Sequence, residues 1–105
     1  MLKILIADDE KIIRETIANL IDWKSLGLNL IGCVKNGMEA YNMILDEYPE
    51  IVLTDIRMPL LSGLDLIEKI YALNKNTQFI ILSAYSEFEY AQKAMQFGVR
   101  HYLVK

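Results

Sequence analysis

Five short apolar runs punctuate the chain: Ile4–Ala7, Leu28–Val34, Ile51–Leu53, Phe79–Leu82 and His101–Val104. Each is rich in β-branched, aromatic or leucine side chains, the pattern of strands buried on both faces. Between them the apolar positions fall at helical spacing. Ile13, Ile17, Leu20 and Ile21 recur at i, i+4, i+7 and i+8. Leu66, Ile67, Ile70 and Leu73 form a second stripe, and Phe88, Ala91 and Met95 a third. The segment Gly37–Tyr48 gathers Ala40, Met43 and Ile44 on one side. Asn36-x-x-Glu39 and Ser86-x-x-Glu89 read as capping boxes at helix starts, and Gly27 and Gly98 as helix stops. The order is therefore βαβαβαβαβ. Helical crossovers imply parallel strands joined with right-handed connections, and hence an open, doubly wound α/β sheet.

Composition narrows the class. The 105 residues allow one domain, read as spanning 1–105, and 53% hydrophobic with 24% charged residues makes it globular. A net charge of −3 gives no electrostatic footprint for nucleic acid. No apolar run approaches the roughly 20 residues of a membrane span. The start Met-Leu-Lys-Ile lacks a signal peptide's apolar region. Cys33 is the only cysteine, so no internal disulfide exists. A cytoplasmic location is expected.

The candidate chemistry is acidic. Ligands of doubly wound sheets bind beyond the carboxyl ends of the strands. Asp8 and Asp9 close the first strand, Asp55 the third and Ser83 the fourth, and Lys105 follows the fifth. If strands 1 and 3 are neighbours, three carboxylates converge. Two unit charges about 4 Å apart repel by roughly 4 kcal/mol at an effective dielectric of about 20. Either a proton is taken up or a cation is held. An all-oxygen site suits a hard divalent ion, Mg²⁺ being the natural candidate. With the Ser83 hydroxyl and the Lys105 ammonium, the set fits a carboxylate nucleophile that receives a phosphoryl group.

These residues also carry a resemblance. Asp8-Asp9, Asp55, Met58-Pro59 and Gly63 in TDIRMPLLSGLDL, Ser83-Ala84, and Tyr102 with Lys105 stand in the order and spacing of a known family. The chain resembles the receiver domain of bacterial two-component response regulators. That resemblance implies a flavodoxin-like sheet of strand order 2-1-3-4-5 and a phosphoacceptor switch rather than an enzyme. Asp55 would be phosphorylated by a sensor histidine kinase. Asp9 would bind Mg²⁺ directly, Asp8 through water, and Asp55 and the backbone carbonyl of Arg57 would complete the protein ligands. Lys105 would pair with the phosphoryl oxygens. Ser83 would turn toward the phosphate and Tyr102 would change rotamer with it. LIDWKSLGLNLIGCVKNGMEA and LSAYSEFEYAQKAMQFGVRHYLVK are similar to receivers that precede an AraC-type helix-turn-helix DNA-binding domain. The family also implies a proline and a fifth helix beyond the lysine. Their absence from this sequence is read as truncation, with apolar surface on strands 1, 3 and 5 left uncovered and self-association as one consequence.

Several residues have plainer readings. Glu10 is expected to be a helix start favoured by the macrodipole. His101 reads as a strand residue and Cys33 as a small buried hydrophobe. Trp23 is expected to pack the end of the first helix, Met58-Pro59 to stiffen the loop after Asp55, and Arg57 and Tyr85 to flank the pocket. Two rival functions remain. A flavodoxin-like redox domain would need Ser, Thr or Gly donors after strand 1 for a flavin phosphate, where this chain has Asp-Asp-Glu. A docking module without phosphorylation would leave the acidic trio and the lysine without a purpose.

Overall fold

The computed structural model describes residues 1–74, 76–83 and 88–104, and of Phe88 and Ala91 the backbone alone. Its elements follow the order read above: β1 (Leu2–Ala7), α1 (Lys11–Leu20), β2 (Leu28–Val34), α2 (Gly37–Glu47), β3 (Ile51–Thr54), α3 (Gly63–Leu73), β4 (Gln78–Ser83), α4 (Phe88–Met95) and β5 (His101–Val104). A short 3-10 turn, Lys24–Leu26, precedes β2. All strand pairs are parallel, in the order β2-β1-β3-β4-β5. This is the flavodoxin-like sheet that the resemblance implied.

The helices start and stop for local reasons. Asn36 caps α2: its Oδ1 accepts the Glu39 N–H at 2.8 Å, and its Nδ2 donates to the Glu39 carboxylate at 3.0 Å. Ser62, which the apolar pattern does not single out, caps α3 by accepting the Asp65 N–H at 3.1 Å. Gly27 and Gly98 stand at positive φ; Gly27 closes the 3-10 turn rather than α1, and Gly98 follows the end of α4 by three residues. Tyr48 closes α2 in the left-handed region, its N–H donating to the Ile44 carbonyl at 2.9 Å. The Trp23 indole N–H donates to the Ala18 carbonyl at 3.2 Å and so fastens the end of α1, as expected. Ser86 and its capping box lie outside the described residues.

The core lies between the sheet and α2 and α3. Leu5, Val52, Phe79 and Ile81 meet Ala40, Ile44, Leu66, Ile67 and Ile70 there. The opposite face is less completely covered: among the described residues, α1 makes its main strand contacts with β1 and β2. Ile4 and Ile6 of β1 are buried, contrary to the expectation for strand 1. On the same face Ile51, Leu53, Ile80 and Leu82 are half-buried and Leu103 is exposed. The uncovered apolar surface therefore lies on β3, β4 and β5; β3 and β4 alternate where continuous burial was expected, and β5 is exposed at every position but Tyr102.

Three helical stripes are also corrected, that of α3 at Leu73 alone, which is 62% exposed. In α1, Ile13 and Ile17 are half-buried, but Leu20 is 79% exposed and Ile21 is exposed. The helix ends at Leu20, and the chain leaves in an extended conformation at Ile21. In α4, Met95 is 68% exposed, and its neighbour Ala94 is buried instead. Cys33 is exposed, not buried. It sits on β2, an edge strand with a neighbour on one side only.

Candidate functional site

Strand register assembles the site. Ala7 of β1 stands opposite Thr54 of β3, so Asp8 and Asp55 leave adjacent strands side by side. The Asp55 N–H donates to the Ala7 carbonyl at 2.9 Å, and the Asp8 N–H to the Val34 carbonyl at 3.0 Å. These bonds extend the sheet by one rung and fix both aspartates. One carboxylate oxygen each from Asp8, Asp9, Glu10 and Asp55 lies within 4.8 Å of the others. Asp8 and Asp55 are buried, at 3% and 4% exposure, and Asp9 and Glu10 are exposed.

Buried carboxylates need partners, and backbone donors supply part of them. The Ile56 N–H donates to Asp55 Oδ1 at 2.7 Å. The Glu10 N–H donates to Asp8 Oδ1 at 2.9 Å. Arg14 donates from Nη1 to the Asp8 carbonyl at 2.8 Å, which brings a guanidinium from α1 to the rim of the acidic group. Four clustered carboxylates with oxygen donors only form a site that can hold a hard divalent cation.

The loop after Asp55 is tightly built. The Thr54 hydroxyl donates to the Asp55 carbonyl at 2.9 Å and lies 3.9 Å from the Met58 sulfur, with Met58 itself buried. The Gly63 N–H donates to the Ile56 carbonyl at 2.6 Å. A Cβ at Gly63 would run into the Asp55 backbone carbonyl, and one at Gly37 into the Leu61 carbonyl. Only glycine lets both helix starts come this close to the loop. Leu60 takes φ 70 and is exposed, while the Leu61 N–H donates to the Pro59 carbonyl at 2.8 Å. A leucine in this conformation is strained, a feature that concentrates at functional loops. Met58-Pro59 is thus part of a loop fastened at several points by these contacts.

The expected site residues fall as follows. Asp8, Asp9 and Asp55 come together. Ser83 ends β4, fully buried, and by the β3–β4 register stands one step beyond the level of Asp55. Tyr102 of β5 pairs with Ile81 and is half-buried against the core. Lys105, Ala84 and Tyr85 lie outside the described residues. Glu10 is the N-cap residue of α1, and its carboxylate also joins the acidic group. Its adjacency to Asp9 was the available signal, set aside because a helix start explained it. Tyr90 was not singled out either. Its hydroxyl accepts from Arg57 Nη2 at 3.0 Å, and the Arg57 guanidinium carbon lies 5.8 Å from its ring centroid. No sequence signal connects positions 33 residues apart.

Comparison with known proteins agrees with this geometry. The family model of the response regulator receiver domain matches residues 4–105. The uncharacterized transcriptional regulatory protein YesN of Bacillus subtilis (strain 168) is 53% identical over all 105 residues, which cover 28% of its length. The chain spans less than half the length of the curated relatives it matches. Among solved structures, the REC domain of AraT, a response regulator from Geobacillus stearothermophilus, superposes with a TM-score of 0.91 at 36% identity. That match covers 99% of this chain and 81% of the other. The CheX-CheY-BeF3-Mg+2 complex from Borrelia burgdorferi gives a TM-score of 0.89 at 26% identity, covering 99% of this chain and 78% of that one. Among the described residues, no helix is long and apolar enough to cross a membrane.

Proposed function

The chain belongs to the response regulator receiver domain family, and from that premise we propose that it is a cytoplasmic phosphoacceptor switch with Asp55 as the acceptor. The observation that carries this reading is the gathering of Asp8, Asp9 and Glu10 around a buried Asp55. A carboxylate oxygen of Asp55 attacks the phosphorus of a phosphohistidine on a sensor kinase. The P–N bond breaks, the histidine leaves with the electron pair, and an acyl phosphate forms. The chain turns nothing over in the manner of an enzyme; it accepts the group and later loses it to water.

Asp8, Asp9, Asp55 and the backbone carbonyl of Arg57 are the residues assigned to hold Mg²⁺, which when bound supplies charge neutralisation at the phosphoryl oxygens. The donor set fits, since every side-chain group in the cluster is a carboxylate. A structural neighbour, the CheX-CheY complex, carries BeF3 and Mg²⁺, which supports this assignment. The Ile56 N–H donates to Asp55 Oδ1 at 2.7 Å and orients the carboxylate, one oxygen of which is assigned as the nucleophile. Ser83, at the end of β4, offers a hydroxyl to one phosphoryl oxygen, and Lys105 its ammonium to another. Tyr102 on β5 follows Ser83, so the β4–α4–β5 face shifts between two packings. In the full-length protein this face controls a DNA-binding output, of AraC type by sequence resemblance. YesN, a transcriptional regulatory protein, supports such an output.

Incubation with Mg²⁺ and acetyl phosphate tests the reading. The parent chain is expected to gain the mass of one phosphoryl group, and Asp55→Asn to gain none. A variant labelled like the parent would falsify it.

A further inference from the structure

The phosphoacceptor reading leaves the Arg57 side chain unused, since it draws only on the backbone carbonyl of that residue. The side chain nevertheless has a defined place. It leaves the stiff loop two residues after Asp55 and reaches α4. There Nη2 donates to the Tyr90 hydroxyl at 3.0 Å and the guanidinium approaches the ring face, 5.8 Å from its centroid. The two ends of this strut are held very differently. On the loop side, Ile56 and Met58 flank Arg57 and are buried, and the Ile56 carbonyl is bound to Gly63. On the helix side, Ala94 is the one buried residue among the described side chains of α4, and Tyr90 is half-buried. Of the other helices, α3 makes the principal contact with α4.

Resting on the phosphoacceptor reading, we propose that Arg57 is a positioning residue whose contact with Tyr90 holds α4 in its resting seat, and that an anionic group on Asp55 releases α4 by drawing the guanidinium away. The chemistry favours exchange of partner. A guanidinium bonds a phosphoryl-like anion through charge-assisted, bidentate geometry, which is stronger than one hydrogen bond to a neutral phenol. The cation–π component at an exposed site adds little to oppose the exchange. The rigid end of the strut senses the charge, and the loosely held end responds.

The test uses Mg²⁺ and beryllofluoride on the parent chain and on Tyr90→Phe, Arg57→Ala and the double variant. Fluorine NMR reports bound beryllofluoride, and amide hydrogen exchange reports residues 88–95. In the parent, binding is expected to speed exchange in α4 severalfold, up to about tenfold, the range that one hydrogen bond's net contribution allows. Tyr90→Phe, which leaves Arg57 in place, should bind beryllofluoride, exchange fast in α4 before it is added, and change little afterwards; Arg57→Ala should show the same fast exchange before addition, with fluorine NMR establishing its occupancy at each beryllofluoride concentration. The double variant should match the singles. A contact that merely props the helix would raise the baseline and keep the full ligand-dependent factor, and that result overturns the inference alone. So would variants indistinguishable from the parent, or single effects that multiply in the double variant. A parent that binds no beryllofluoride would overturn the phosphoacceptor reading and this inference with it.

Discussion

In the proposed function Asp55 performs two tasks whose demands conflict. Its side chain must stay reactive, while its backbone carbonyl lies where α3 begins. Gly63 resolves the conflict by carrying no Cβ against that carbonyl. Alanine would gain up to about 1 kcal/mol of helix propensity over glycine, but forcing a methyl into occupied space costs roughly 1–3 kcal/mol. The clash wins. Gly63→Ala is therefore expected to lower the urea unfolding midpoint, and an unchanged midpoint would show that the loop yields freely. Residue identity alone marked Asp8, Asp9 and Asp55, because three acids at strand ends are costly without a cation. It misled at Cys33, where an apolar run suggested burial and an edge strand left the residue exposed. What burial the thiol has raises its pKa, and the nearby Arg14 guanidinium pulls weakly the other way. Glu10 shows a different limit: a cap position and a place in the acidic group are not exclusive.

At the level of elements, the apolar periods located each strand and each α-helix among the described residues, though not the 3-10 turn, because alternation of short runs with amphipathic stretches has few other solutions. Their ends were less legible. Leu20, Leu73 and Met95 continue helical stripes, yet all three are exposed. Each stands in the last turn of its helix, where a periodic residue has run past the sheet that would cover it. Caps were clearer where the side chain acts locally. Asn36 was visible from its spacing to Glu39, and both of its bonds are made within three residues. Asn36→Ala removes them and is expected to cost about 0.5–2 kcal/mol. Chemical denaturation read by helical circular dichroism measures this directly, and a loss within error would mean that tertiary packing alone holds the start of α2.

Across the whole molecule, strand order assembles the candidate site. Helical crossovers made the sheet parallel by argument, but order 2-1-3-4-5 followed from the family resemblance and not from the apolar pattern. That order places β1 beside β3 and so Asp8 beside Asp55. Long-range side-chain contacts such as Arg57 with Tyr90 were invisible, since nothing local to either residue specifies them. The distribution of uncovered apolar surface was equally hidden: it follows from α1 lying mainly against β1 and β2 among the described strands. The central claim is that this order builds one cation-dependent phosphoacceptor. Its most direct test is peptide mapping by mass spectrometry after treatment with acetyl phosphate, with Mg²⁺ and with EDTA in its place. The account predicts one phosphoryl group, on Asp55, formed with Mg²⁺ and lost with EDTA. A phosphoryl group on any other residue, or labelling of Asp55 indifferent to EDTA, would contradict it.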